Sequence, residues 1–300
     1  MSAPSRLSLA VDTGTVVLPD HGRVAVFAPR AGADLAALPA ERLHLLTSLK
    51  PDFDHFVTRG YDCAVTPDGQ YAASLVLLPR AKPLARALIA AAADVTDGPV
   101  IVDGDKTDGV ESILKECRRR DAAGTPLSKA HGKIFTVMPG HDFSDWAARD
   151  GTGIEGGFVT TPGAFSADGI DPGSCWLADC LPAELGSHVI DLGAGWGYLS
   201  ARILTRETVT RLEMVEADRH ALDCACRNVP DPRAVAHWAD ATLHVLYVAD
   251  TTRDSVTVVE GQTVDALEQQ GEEIIDEAAK TLDTLGNDYE TDIVQGNPAP

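Results

Sequence analysis

The sequence has no apolar run of 18 residues, and its opening, M-S-A-P-S-R, has no charged segment leading into a hydrophobic stretch. Neither a membrane-spanning helix nor a signal peptide is read from it, and a cytoplasmic protein is expected. A C-x-x-C pair is also lacking. The six cysteines, Cys63, Cys117, Cys175, Cys180, Cys224 and Cys226, are spaced neither as zinc ligands nor as a disulfide framework, so buried reduced thiols and no metal site are expected. Basic residues are scarce, with 25 Lys and Arg against 45 Asp and Glu and a net charge of −20. That balance excludes attraction of the whole chain to a polyanion. The excess is uneven, however, because residues 241–300 hold 13 acids against Arg253 and Lys280. Upstream, Lys115 with Arg118, Arg119 and Arg120, Lys129 with Lys133, and Arg80 with Lys82 form local basic groups. These are either phosphate contacts or solvated faces.

Three hundred residues with 44% apolar content are enough for two ordinary domains. Residues 5–145 alternate strand-like and helix-like stretches: R-V-A-V-F-A at 23–28, A-S-L-V-L-L at 73–78, an alanine-rich helix at 84–93, P-V-I-V-D at 99–103, a helix at 109–120 and K-I-F-T-V-M at 133–138. Such alternation predicts a parallel sheet covered on both faces. None of these strands is followed by a G-x-G turn, so this half is read as a domain without a cofactor site. Residues 146–157 are polar and glycine-rich and read as the linker.

The most informative stretch is 188–200, H-V-I-D-L-G-A-G-W-G-Y-L-S. A short buried strand containing Asp191 runs into Gly193, Ala194, Gly195 and Gly197, and Tyr198 opens an apolar helical run. Glycines there let the chain turn sharply and let a ligand approach the backbone, with free helix N–H groups facing it. Twenty-five residues past Asp191, the strand 211–215 ends at Glu216, where a carboxylate can accept both hydroxyls of a ribose. The strand 234–238 ends near Asp240, placed to meet an adenine amino group. The turn has glycine at every second position rather than the G-x-G-x-x-G of dinucleotide folds. That spacing favours S-adenosylmethionine (SAM) over NAD, the alternatives being another nucleotide or a purely structural turn.

The segment 158–174, F-V-T-T-P-G-A-F-S-A-D-G-I-D-P-G-S, followed by V-I-D-L-G-A-G-W-G, resembles the RsmC-type ribosomal RNA guanine-N2 methyltransferases over residues 5 to about 242. The resemblance implies two tandem Rossmann-like, class I methyltransferase-like doubly wound α/β domains. The first, 1–145, would help hold RNA. The second, 158–242, would bind SAM, with Phe165 and Ser166 folding over its methionine end. It also implies methyl transfer to the exocyclic N2 of a guanine in small-subunit rRNA, with the ribosomal subunit as partner and no membrane. Read from the residues alone, 162–174 is turn chemistry before a helix capped by Asp171 or Ser174.

Residues 243–300 depart from that pattern. A strand at 242–250, an acid-rich helix carrying Val264, Leu267, Ile274, Ile275, Ala278, Leu282 and Leu285, and a strand at 289–294 before G-N-P-A-P resemble a middle segment of a haloarchaeal universal stress protein. The second domain is therefore expected to be incomplete or chimeric. The family's N-P-P-F loop orients the guanine amine, and Asn297-Pro298-Ala299-Pro300 imitates it 57 residues past Asp240 without an aromatic residue. Weakened catalysis is the expectation. The competing class is a non-catalytic chimera that binds SAM or an adenine nucleotide.

Overall fold

A computed structural model describes residues 5–148 and 151–240. The strands expected at 242–250 and 289–294, the helix between them and Asn297 lie outside the described residues.

Residues up to Asp240 belong to one compact unit built on two sheets. In chain order its elements are α1 (Arg6–Asp12), β1 (Val24–Phe27), β2 (Leu43–Leu46), α2 (Lys50–Val57), β3 (Asp62–Ala64), β4 (Ala73–Leu77), α3 (Lys82–Asp94), β5 (Val100–Asp105), α4 (Val110–Arg119), β6 (Leu127–Lys129) and β7 (Gly132–Val137). A small hairpin, β8 (Thr152–Gly153) and β9 (Val159–Thr160), precedes α5 (Pro172–Cys180), β10 (His188–Leu192), α6 (Tyr198–Ile203), β11 (Arg211–Glu216), α7 (Arg219–Asn228) and β12 (Ala234–Trp238).

The first sheet runs β3-β2-β1-β4-β5-β7-β6. Strands β1 and β2 are buried at every position, as befits parallel strands covered on both faces. Helix α3 starts at a proline in its first turn and packs through Ala85, Ile89 and Ala92, while α4 packs through Val110, Ile113, Leu114 and Cys117. Burial pushes the Cys117 thiol up to about 12, so it behaves as a small apolar group. The sheet is not wholly parallel as expected, since β7 runs antiparallel to both β5 and β6. The reason is local. Ala130 and His131 adopt φ of 48° and 56° and make a two-residue hairpin, which can join only antiparallel strands.

The 146–157 segment is not a plain linker. Trp146 is buried in the first sheet's core under the Arg120 guanidinium, 4.8 Å from its ring centre, and Thr152 already pairs with Thr160. None of the six cysteines forms a disulfide, but only Cys117 and Cys224 are buried while Cys180 and Cys226 are exposed; Cys224 and Cys226 differ because positions two apart on α7 face nearly opposite ways.

The second sheet, β10-β11-β12, is parallel. Leu212 and Met214 face α6 and α7, with Ile203, Leu222, Ala225 and Val229 closing that core. The opposite face carries Glu213, which accepts hydrogen bonds from Arg211, from His237 and from His188 Nε2 at 3.2 Å. Chiefly the His237 bond, then that of Arg211, holds the Glu213 carboxyl at about 2 rather than 4.5. A depressed acid stabilises the fold above its unfolded pKa, and that contribution is lost as pH falls from 4.5 toward about 2. Glu213→Gln is expected to flatten this acid limb in urea melts, and an unchanged limb would refute the assignment.

Both sheets begin with the same backbone device. The residue after the first strand turns left-handed and donates its N–H to the end of the neighbouring strand. Ala28 (φ 54°) does so to the Leu46 carbonyl at 2.8 Å, and Gly193 (φ 72°) to the Val215 carbonyl at 2.9 Å.

Candidate cofactor-binding site

In a doubly wound sheet the loops at the carboxyl ends of the strands are where a ligand can meet free backbone N–H groups. On the second sheet these loops enclose a cleft of about 120 Å³ that opens to solvent. Gly193, Ala194 and Gly195 form its floor, Glu216 one wall, and Phe165, Ser166, Asp171 and Ser174 the other. A Cβ built on Gly193 or Gly195 would meet nothing within 4 Å, so the room before the turn is open to a ligand.

Glu216 is fixed by two backbone donors. Its Oε2 accepts from Gly195 N at 2.7 Å and its Oε1 from Asp218 N at 2.8 Å. Each carboxylate oxygen keeps a further lone pair, and Glu216 lines the cleft. The turn is held in turn by Asn228, whose amide donates to the Trp196 carbonyl at 2.7 Å and the Val159 carbonyl at 2.8 Å. Trp196, 4% exposed, donates its indole N–H to the Phe165 carbonyl at 3.0 Å and so ties the 162–166 loop to the glycine turn. Phe158, Trp196 and Tyr198 pack together with ring centres 5.3–5.9 Å apart, and Trp196 and Tyr198 of this cluster line the cleft.

Six of the nine residues expected at the cofactor therefore line one cleft: Gly193, Ala194, Gly195, Glu216, Phe165 and Ser166. The other three sit elsewhere. Asp191 points to the helix side of the sheet, is 8% exposed, and accepts from Ser200 Oγ at 2.6 Å. Burial raises its pKa, and the Ser200 bond opposes that shift. Through Ser200 it anchors α6 under the turn. Gly197 is a packing glycine, since a Cβ there would lie 3.0 Å from Val229 Cγ2 and 3.1 Å from Ala225 Cα. Asp240 is exposed and is not among the lining residues, because the chain has passed the end of β12. Sequence reasoning missed Asp171 and Ser174 as wall residues, although their role at the α5 N-terminus, where Asp171 accepts from Ser174 N at 2.7 Å, was legible. It also missed Trp196 and Tyr198, whose only signal was their place between and after the glycines.

On the first sheet, two further grooves lie beside Ala87, Ala90 and Asp94 on α3 and beside Lys106, His131 and Lys133 at the hairpin, both away from residues 78–82. Among the described residues no group of three or more His, Cys, Asp or Glu stands close enough to hold a metal, and no helix is long and apolar enough to cross a membrane.

Residues 155–287 match the family model of the methyltransferase small domain, a range that runs past residue 242, where the resemblance read from the sequence stops. Curated relatives include the ribosomal RNA small subunit methyltransferase C of Shewanella oneidensis, 30% identical over 209 residues, covering 65% of this chain and 60% of that protein. The enzyme of the same name from Pseudomonas aeruginosa strain UCBPP-PA14 is 30% identical over 185 residues, 58% of this chain and 53% of its own. The chain thus spans about half to three fifths of the length of the curated relatives it matches. Among solved structures, the Thermus thermophilus 16S rRNA N2 G1207 methyltransferase, RsmC, in complex with AdoMet and guanosine, superposes with a TM-score of 0.59 at 22% identity, over 76% of this chain and 68% of that one. With the strand order and the glycine turn, this likeness places the chain in the Rossmann-like class I methyltransferase fold.

Proposed function

We propose that this chain binds SAM in the β10–β11 cleft and acts on small-subunit ribosomal RNA as an RsmC-like methyltransferase, with the exocyclic N2 of a guanine as acceptor. The observation that carries the reading is the joint placement of Gly193, Gly195 and the doubly held Glu216 carboxylate in one cleft. The fit to the cofactor is chemical. Two glycines leave room for a ligand against the backbone, and two free lone pairs on Glu216 suit the two hydroxyls of a ribose.

When bound, SAM supplies an electrophilic methyl group on a sulfonium sulfur. The chain's own residues bind and orient. Glu216 holds the ribose, the 162–166 loop closes over the methionine side, and the Phe158, Trp196 and Tyr198 rings keep water from the back of the cleft. A guanine must leave its stack to present its amine there. The acidic chain meets RNA through local basic groups. Lys115, Arg118, Arg119 and Arg80 are exposed, whereas Arg120 pairs with Asp145, Lys82 with Glu116 and Lys133 with Glu111. The guanine-N2 acceptor rests on the resemblance read from the sequence and on the likeness to a 16S rRNA N2 G1207 methyltransferase.

The sequence has no N-P-P-F, so turnover is expected to be slow relative to cofactor binding. Calorimetry with SAM, together with transfer of tritiated methyl to undermethylated small subunits, tests the reading. Binding with measurable transfer to a guanine supports it. Binding with no transfer restricts the chain to cofactor binding, and no binding removes the assignment.

A further inference from the structure

Resting on the cofactor reading above, we propose that the first sheet sets the geometry of the second sheet's cleft, with Trp238 and the Gly163–Leu84 contact as its two positioning points. The first point is a short antiparallel seam. Lys50 N donates to the Ala217 carbonyl and Arg219 N to the Ser48 carbonyl, both at 2.9 Å, and Leu49 pairs with Asp218 as an isolated bridge. Trp238 closes it by sharing its indole N–H between the Ser48 carbonyl at 3.0 Å and the Ala217 carbonyl at 2.8 Å. Its ring lies edge-on to Phe53 at 5.0 Å, with the Lys50 ammonium 5.4 Å from its centre.

This seam grips the residues next to Glu216. Asp218 N, which fixes Oε1 of the carboxylate, sits inside the gripped segment, so the backbone at 217–219 sets where the acid points. The second point lies on the opposite wall. Gly163 adopts φ +92° and comes so close to Leu84, at the start of α3, that a Cβ would stand 2.6 Å from Leu84 Cδ2. Phe165 and Ser166 follow two and three residues later on that loop. One wall of the cleft thus rests on the β2–α2 connection and the other on α3, both supplied by the first sheet. The two contacts act on different ends of the ligand, the ribose side through Glu216 and the methionine side through Phe165.

The test compares Trp238→Phe, which keeps the ring against Phe53 but loses the shared N–H, with Gly163→Ala, which pushes the loop off Leu84. Affinities for S-adenosylhomocysteine and for adenosine are measured by calorimetry, melting by circular dichroism, and amide exchange by mass spectrometry. Trp238→Phe is expected to weaken both ligands about tenfold, since the ribose is common to them. Gly163→Ala should weaken S-adenosylhomocysteine by a similar factor and leave adenosine unchanged. Exchange at residues 195 and 216–219 should rise in Trp238→Phe alone. Unchanged affinities in Trp238→Phe, or equal losses of both ligands in both variants that merely track melting, overturn the proposal. If the parent chain binds neither ligand, the cofactor reading fails, and the exchange pattern still decides whether the seam positions the Glu216 segment.

Discussion

Glu216→Ala is expected to weaken SAM binding by about 100-fold or more while the fold persists. The side chain removes two backbone donors from competition, taking Gly195 N and Asp218 N at 2.7 and 2.8 Å, and on the proposed reading offers its remaining lone pairs to a ribose. Two hydrogen bonds to a charged acceptor are together worth roughly 3 kcal/mol, which corresponds to about two decades in affinity. Stability should change far less, because the cleft is open and water can replace the carboxylate on both N–H groups. Calorimetry and a thermal melt on the same preparation check this. An alanine variant binding within about threefold of the parent would remove Glu216 from the site.

Two of the three glycines of the turn are expected to fail in opposite ways. Gly197→Ala must place a methyl 3.1 Å from the Ala225 Cα, a backbone atom, at φ +90°. Left-handed strain of about 1–2 kcal/mol, together with overpacking of about 1–3 kcal/mol, lowers stability by roughly 2–5 kcal/mol. For a unit of this size that is a drop in melting temperature of about 5–15 °C. Gly195→Ala meets nothing within 4 Å and should cost only the strain of its φ of +56°. Its methyl instead projects into the open space before the turn, so cofactor affinity falls with little loss of melting temperature. Melts and calorimetry on both variants separate the effects, and equal loss of stability would contradict the packing seen at Gly197.

The glycine turn was legible because it obeys two constraints at once. Positive φ favours glycine, and the strand β11 that follows ends on an acid, Glu216, its last residue. The same pattern left the packing of Asp191 unread. Its position in the motif suggested a ligand contact, but strand parity turns it toward α6, and a sequence shows parity only when the face that is packed is known. Strands β2 and β3 and helix α2 were missed. They are short, at four, three and eight residues, too few positions to show a period, and β2 owes its burial to neighbours on both sides. The β6–β7 hairpin escaped because its tight turn uses Ala130 and His131 where a glycine or asparagine would have announced it.

Ala28 and Gly193 make the same bond in their two sheets, and this bears on protein design. Grafting glycines after β1 would copy the turn but would not create a second working site. The connections flanking β1 and β4 are already engaged, the β2–α2 connection with residues 217–219 and α3 with Gly163. A ligand seated on Ala28 would have to enter between contacts that join the first sheet to the loops of the second. Any gain in capacity at the first sheet would therefore be taken from the cleft at the second, and the number of cofactors one chain can hold is set by how its sheets meet.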